Sequence, residues 1–123
     1  MQSADHPVVL LVEDEVFIRV VTADALTEGG FTVLEAEDAH TAMRLLADND
    51  QVDLLFTDLN LPGSVDGLEL SRMAEAARPG MKLVVTSGQR RLDDDDLPDD
   101  GIFVSKPYRQ DQICNVLRAQ LSR

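Results

Sequence analysis

The sequence predicts a parallel α/β sheet with helices on both faces. Three observations carry that expectation. Short, almost uninterrupted apolar runs recur along the chain, helical patterns with an apolar stripe lie between them, and turn residues separate the two. Apolar runs of this kind, alternating with amphipathic helices, are the mark of strands buried on both sides.

The elements follow in order. Val8–Val12 is a β-branched run and predicts the first strand. The pattern over Val16–Glu28 predicts a helix, with Ile18, Val21 and Ala25 on its buried stripe and Gly29-Gly30 as its stop. Thr32–Ala36 predicts the second strand. Asp38 suits the N-cap of the next helix, whose stripe is Ala39, Ala42, Met43 and Leu46. Leu54–Asp58 predicts the third strand. Gly67–Ala77 predicts a helix burying Leu70, Met73, Ala74 and Ala77, ended by Pro79-Gly80. Lys82–Thr86 and Ile102–Ser105 predict the last two strands. Tyr108–Leu121 predicts a closing helix with Ile113, Val116, Leu117 and Leu121 inward. One stretch breaks the alternation. Gln89–Asp100 carries six aspartates and no apolar stripe, and reads as a short mobile segment.

Size and composition bound the function. The 123 residues fit one domain, and 44% hydrophobic with 28% charged residues is a globular composition. A net charge of −12 argues against nucleic acid and anionic membrane surfaces as partners. The apolar runs are too short to span a bilayer. Cys114 is the only cysteine, which excludes an internal disulfide and fits a cytoplasmic location; it reads as a packing residue. Met1–Pro7 lacks the features of a secretion signal. His6 and His40 are isolated and read as surface residues.

Chemistry gathers where strands end. Glu13 and Asp14 follow the first strand, Asp58 ends the third, Ser87 follows the fourth and Lys106 the fifth. Parallel sheets bind ligands beyond the carboxyl ends of their strands. Taken singly, each acid also reads as a solvent-facing residue. Together, three carboxylates would repel strongly, by about 4 kcal/mol for two charges ~4 Å apart at an effective dielectric of 20. A hard divalent cation such as Mg²⁺ removes that repulsion. Asp58 is then the nucleophile candidate, since carboxylates accept phosphoryl groups. Lys106 neutralises phosphoryl oxygens, Ser87 offers a hydroxyl, and Gly88 leaves space. The isomer of the Lys106–Pro107 bond is left open. Phe17, Ile18, Val20 and Val21 give the first helix more apolar faces than one core needs, which predicts a docking surface for a partner protein.

The residues 10-LLVEDE-15, 57-TDLNLPGSVDG-67, 84-VVTSG-88 and 104-VSKPY-108, in this order at strand ends, resemble the receiver domain of two-component response regulators. The resemblance runs from Val8 to Leu121 and implies a flavodoxin-like (βα)5 fold. It implies one receiver domain over residues 1–123, with no output domain. It implies that Asp58 accepts a phosphoryl group from a histidine kinase or a histidine phosphotransfer protein. Glu13 and Asp14 would hold Mg²⁺ with Asp58 and the Asn60 backbone carbonyl. Lys106 would pair with the phosphate, and Ser87 and Phe103 would form the switch. The chain would be no enzyme beyond its own phosphorylation and dephosphorylation. The loop from Pro62 to Gly67 has one residue more than the commonest form. The interval from Ser87 to Lys106 is shorter than usual and acidic, so the fourth helix is expected to be short or irregular.

Three other readings compete. The chain would be a receiver fragment of a larger regulator or hybrid kinase. A phosphatase or mutase that forms an aspartyl phosphate usually needs a second aspartate where Asn60 stands. A nucleotide- or flavin-binding domain needs a glycine-rich turn where Glu13-Asp14-Glu15 stands, and those acids would repel phosphate.

Overall fold

The computed structural model describes residues 6–98 and 100–123. The expectations for Met1–Asp5 and for Asp99 lie outside them. Five strands form one parallel sheet: β1 (Val8–Val12), β2 (Thr32–Ala36), β3 (Val52–Asp58), β4 (Lys82–Ser87) and β5 (Ile102–Ser105). Four helices connect or close them: α1 (Val16–Glu28), α2 (Ala39–Asp48), α3 (Gly67–Ala77) and α4 (Gln110–Leu121). The strand order is β2-β1-β3-β4-β5, the flavodoxin-like doubly wound arrangement. Its switch point lies between β1 and β3, so residues ending those strands share one crevice.

The two faces of the sheet bury separate cores. On one face Val9, Leu11, Leu54, Phe56 and Val84 meet Ala23 and Leu26 of α1 and Ile113, Cys114 and Leu117 of α4. On the other, Leu10, Val12, Leu55, Leu83 and Val85 meet Ala42 and Leu46 of α2 and Leu70 and Ala74 of α3. Successive strand residues thus alternate between two apolar layers, which is why the runs are nearly uninterrupted. Cys114 is a buried packing residue, and His6 and His40 are exposed.

Several boundaries and faces differ from the expectation. β3 begins at Val52 and continues through Asp53, whose carboxylate accepts the Val8 backbone N–H at 2.8 Å. β4 runs one residue further, to Ser87, and α4 starts at Gln110. In α1 the buried residues are Thr22, Ala23 and Leu26, while Val21 is exposed and Ile18 and Ala25 are partly so. In α3 Leu70 and Ala74 are buried with Ser71, but Met73 and Ala77 are exposed. Asp38 caps α2 as expected, accepting the Thr41 N–H at 2.8 Å.

The interval 88–101 has no α-helix among its described residues, only a 3-10 turn over Asp94–Asp96. It is not without apolar contacts, however. Leu97 is buried in the core layer that holds Leu83 and Val85, and Leu92 is half-buried against that layer. Their spacing of five fits neither a helical nor a strand period, so no stripe is visible. Polar contacts pin the segment further. Asp94 Oδ1 accepts the Phe103 backbone N–H at 2.9 Å, and Arg91 Nη1 donates to Ser105 Oγ at 3.0 Å. Gln120 of α4, 1% exposed, donates Nε2 to the Asp100 carbonyl at 2.9 Å and the Leu83 carbonyl at 3.1 Å.

Candidate functional site

Each site residue is delivered by the end of a strand. Glu13 continues β1 for one step, its N–H bonding the Ala36 carbonyl at 3.0 Å. Asp58 ends β3. Leu59 extends that ladder through its N–H to the Thr86 carbonyl at 2.8 Å. Lys106 N–H bonds the Ser87 carbonyl at 3.0 Å, so β4 and β5 run in step to the same rim. The parallel register aligns these exits, and the crevice above them has a volume of about 380 Å³.

Glu13, Asp14 and Asp58 converge there. Each offers a carboxylate oxygen within 4.8 Å of the others. Glu13 and Asp58 are 3% and 6% exposed, whereas Asp14 faces solvent. Two oxygens on one Mg²⁺ lie at most about 4.2 Å apart, twice the usual bond length. The set needs only slight closure to fit such an ion. Asp14 is the acid suited to move, because none of the side-chain hydrogen bonds among the described residues uses it. A hard cation with oxygen ligands is the group this donor set fits.

Lys106 binds both buried acids. Its Nζ lies 2.7 Å from Glu13 Oε1 and 2.9 Å from Asp58 Oδ2. Burial alone would lower the ammonium's pKa, but the bonds to Glu13 and Asp58 outweigh it and hold the pKa above the usual lysine value. Burial lifts the Glu13 carboxyl above its ordinary range, against the pull of Lys106 and of the Glu15 N–H. Asp58 Oδ1 accepts the Asn60 N–H at 3.1 Å, which fixes the carboxylate plane.

Ser87 is buried beside this group. Its Oγ accepts the Gln89 and Arg90 N–H groups at 3.1 Å each and Asn60 Nδ2 at 3.2 Å. Phe103 does not line the acidic crevice and is half-buried against the core layer on the α2–α3 face of the sheet. The Lys106–Pro107 peptide is cis. A Cβ on Gly88 would stand 3.5 Å from the Lys106 stem, an ordinary contact, so packing does not require glycine there.

Gly67 is a site-shaping residue that sequence reasoning took only as a helix start. A Cβ there would lie 2.1 Å from the Asp58 carbonyl oxygen and 2.7 Å from Leu59 Cα. Only glycine lets α3 begin against the strand that carries Asp58. The signal in the sequence is the glycine directly after Asp66, whose side chain caps α3 by accepting the Glu69 N–H at 2.9 Å.

The apolar residues of α1 stand beside the crevice. Phe17 is 73% exposed and Val20 53%, with Val16 and Val21 also exposed. Phe17, Ile18 and Val21 line a neighbouring groove of about 480 Å³ together with Pro107 and Tyr108. Burial raises the Tyr108 pKa, and its hydroxyl lies 3.4 Å from Thr22 Oγ1. No helix among the described residues is long and apolar enough to cross a membrane.

Comparison with known proteins agrees with this geometry. The chain is 29% identical over 116 residues to the response regulator receiver protein CpdR of Brucella abortus, covering 92% of this chain and 95% of CpdR. It is 29% identical over 117 residues to the transcriptional regulatory protein YrkP of Bacillus subtilis, covering 94% of this chain but only 49% of YrkP. The chain thus spans about half of one curated relative and nearly all of another. A crystal structure of a response regulator receiver protein from Sinorhizobium medicae superposes with a TM-score of 0.87 at 26% identity, covering 98% of both chains. The model of the response regulator receiver domain family matches residues 9–118, and with the acids, lysine and serine gathered on one rim of a doubly wound sheet, the chain belongs to that family.

Proposed function

We propose that the chain acts as a single-domain response regulator in a phosphorelay, accepting a phosphoryl group on Asp58 from a histidine kinase or a histidine phosphotransfer protein. The observation that carries this reading is the Lys106 ammonium within 2.9 Å of both Glu13 and Asp58, beside the exposed Asp14 carboxylate. Phosphoryl transfer needs positioning and charge neutralisation above all. A carboxylate oxygen of Asp58 attacks phosphorus, the P–N bond of the donor phosphohistidine breaks, and its electron pair returns to the imidazole, which takes up a proton. Glu13, Asp14, Asp58 and the Asn60 carbonyl would hold Mg²⁺, which would supply positive charge to the phosphoryl oxygens. Lys106 pairs with those oxygens from the β5 side, and Ser87 donates its hydroxyl hydrogen to one of them. Ser87 moves toward the phosphoryl group to make that bond, which alters Phe103 and the surface beside it, so partner contacts change. The protein turns over no separate substrate and works in the cytoplasm.

The exposed α1 residues Phe17, Val20 and Val21, with Ile18, form the docking surface for the phosphohistidine protein. A small acyl-phosphate donor with Mg²⁺ tests the reaction by intact mass. Wild type should gain one labile phosphoryl group, and Asp58→Asn or chelator should abolish it. Labelling that survives in Asp58→Asn would sink the assignment. Phe17→Ala and Val20→Ala should slow transfer from a phosphohistidine protein but not labelling by the small donor. Coverage of 49% of YrkP supports a second reading, a receiver that is one part of a larger regulator or hybrid kinase.

A further inference from the structure

Arg19 stands behind the acidic turn. It projects from the first turn of α1, and its side chain is 17% exposed. Its Nη1 donates to the Glu13 carbonyl oxygen at 2.8 Å, and its Nε lies 3.4 Å from Glu35 Oε1 on β2. The guanidinium therefore spans α1, the exit of β1 and the end of β2. The Glu13 carbonyl belongs to the peptide joining Glu13 to Asp14. Rotation of that peptide plane swings Asp14, whose side chain takes part in none of the hydrogen bonds among the described residues.

The other restraints on the turn act elsewhere. Glu13 N–H bonds the Ala36 carbonyl, before the peptide in question. The Glu13 side chain accepts the Glu15 N–H at 3.1 Å, after Asp14. Arg19 alone among these contacts grips the peptide plane that aims Asp14.

We infer that Arg19 is a positioning residue for the cation site, setting the direction of the Asp14 carboxylate without touching the ion. This rests on the proposed use of Glu13, Asp14 and Asp58 as cation ligands. It separates cleanly from a simple charge effect. Arg19 is a cation held against the Glu13–Asp14 peptide, so removing its charge should strengthen Mg²⁺ binding by field alone. Losing its grip on the peptide should weaken binding instead. The sign of the change decides between them.

The experiment is a Mg²⁺ titration of wild type, Arg19→Gln and Glu35→Gln, by calorimetry, at a temperature where circular dichroism shows each variant folded. Groups that orient a ligand typically change metal affinity by about 10- to 100-fold when removed, so Arg19→Gln should weaken Mg²⁺ binding about tenfold. Glu35→Gln frees the far end of the guanidinium and should weaken binding less than Arg19→Gln does. Arg19→Lys, which keeps the charge but loses the fork, should lie between wild type and Arg19→Gln. Equal or tighter binding in Arg19→Gln overturns the inference while leaving the cation site intact. Should Arg19→Gln not fold, unchanged affinity in both Arg19→Lys and Glu35→Gln overturns it. Wild type that binds no Mg²⁺ overturns the underlying reading as well.

Discussion

Replacing Lys106 with methionine keeps most of the apolar stem and removes the ammonium, with its charge and its bonds to Glu13 and Asp58. The stem matters because it lies beside Gly88. Without the ammonium, Glu13 and Asp58 face each other with oxygens no more than 4.8 Å apart. At an effective dielectric of 20 that repulsion is about 3.5 kcal/mol. The chain has an escape: Glu13, already lifted by burial, can take a proton. Neutralising a glutamate of ordinary pKa at pH 7 costs about 3.7 kcal/mol, so protonation sets a ceiling close to the repulsion itself. Solvent reaches the rim, where Lys106 is 18% exposed, and trims the figure further. We expect Lys106→Met to lose about 2–3 kcal/mol of unfolding free energy in chelator, or roughly 10 °C of melting temperature. Denaturant unfolding of both proteins measures it. Saturating Mg²⁺ should narrow the gap, because the cation replaces the missing charge. The gap should also narrow in acid. A carboxyl whose folded pKa is raised weakens the fold above that pKa, and the penalty disappears as pH falls towards the unfolded value. A variant as stable as wild type in chelator, or a gap indifferent to Mg²⁺, would refute the reasoning.

Three further outcomes follow from geometry. Gly67→Ala should destabilise the protein by more than about 3 kcal/mol and slow small-donor labelling, because its Cβ collides with backbone at Asp58; a stable variant labelled at the wild-type rate would contradict the contact. Asp38→Ala should cost about 1 kcal/mol near neutrality through the lost N-cap. The Thr41 backbone N–H holds the Asp38 carboxyl below its ordinary range, so this contribution is complete above the unfolded pKa and lost as pH falls through the folded one; a wild-type-minus-variant difference that persisted in strong acid would be wrong. Ser87→Ala should keep phosphorylation, lose about 1 kcal/mol from its released donors, and weaken the NMR shift change at Phe103; an unchanged response at Phe103 would remove Ser87 from the switch.

The sheet and the placement of Glu13, Asp14, Asp58, Ser87 and Lys106 on one rim were legible because strand-end position follows directly from where an apolar run stops. The buried face of α1 was not. Its apolar residues at 16–18 and 20–21 follow the exit of β1 and are exposed apart from the half-buried Ile18, and periodicity says nothing about what stands opposite a helix face. Thr22 is buried in their place, its hydroxyl 3.4 Å from that of Tyr108. Leu92 and Leu97 were hidden by aspartates and by a spacing without period. Gly67 and Arg19 act through contacts with backbone atoms, which leave no pattern in side-chain type. Gln120 carries no sequence signal for burial, yet it is buried because its amide nitrogen donates to the carbonyls of Leu83 and Asp100.

The interval 88–101 takes the place of a helix, and its position has a colloidal consequence. β5 is an outer strand, and an outer strand offers unpaired backbone groups to any other chain. Here the Phe103 N–H is taken by the Asp94 carboxylate, with Asp93, Asp95 and Asp96 exposed around it. A second strand approaching that side would meet a filled donor and a wall of negative charge, on a chain whose net charge is already −12. Asp93 to Asp96 thus lay negative charge along the outer edge of β5, and replacing these four with alanine should bring out turbidity on storage well before any loss of fold.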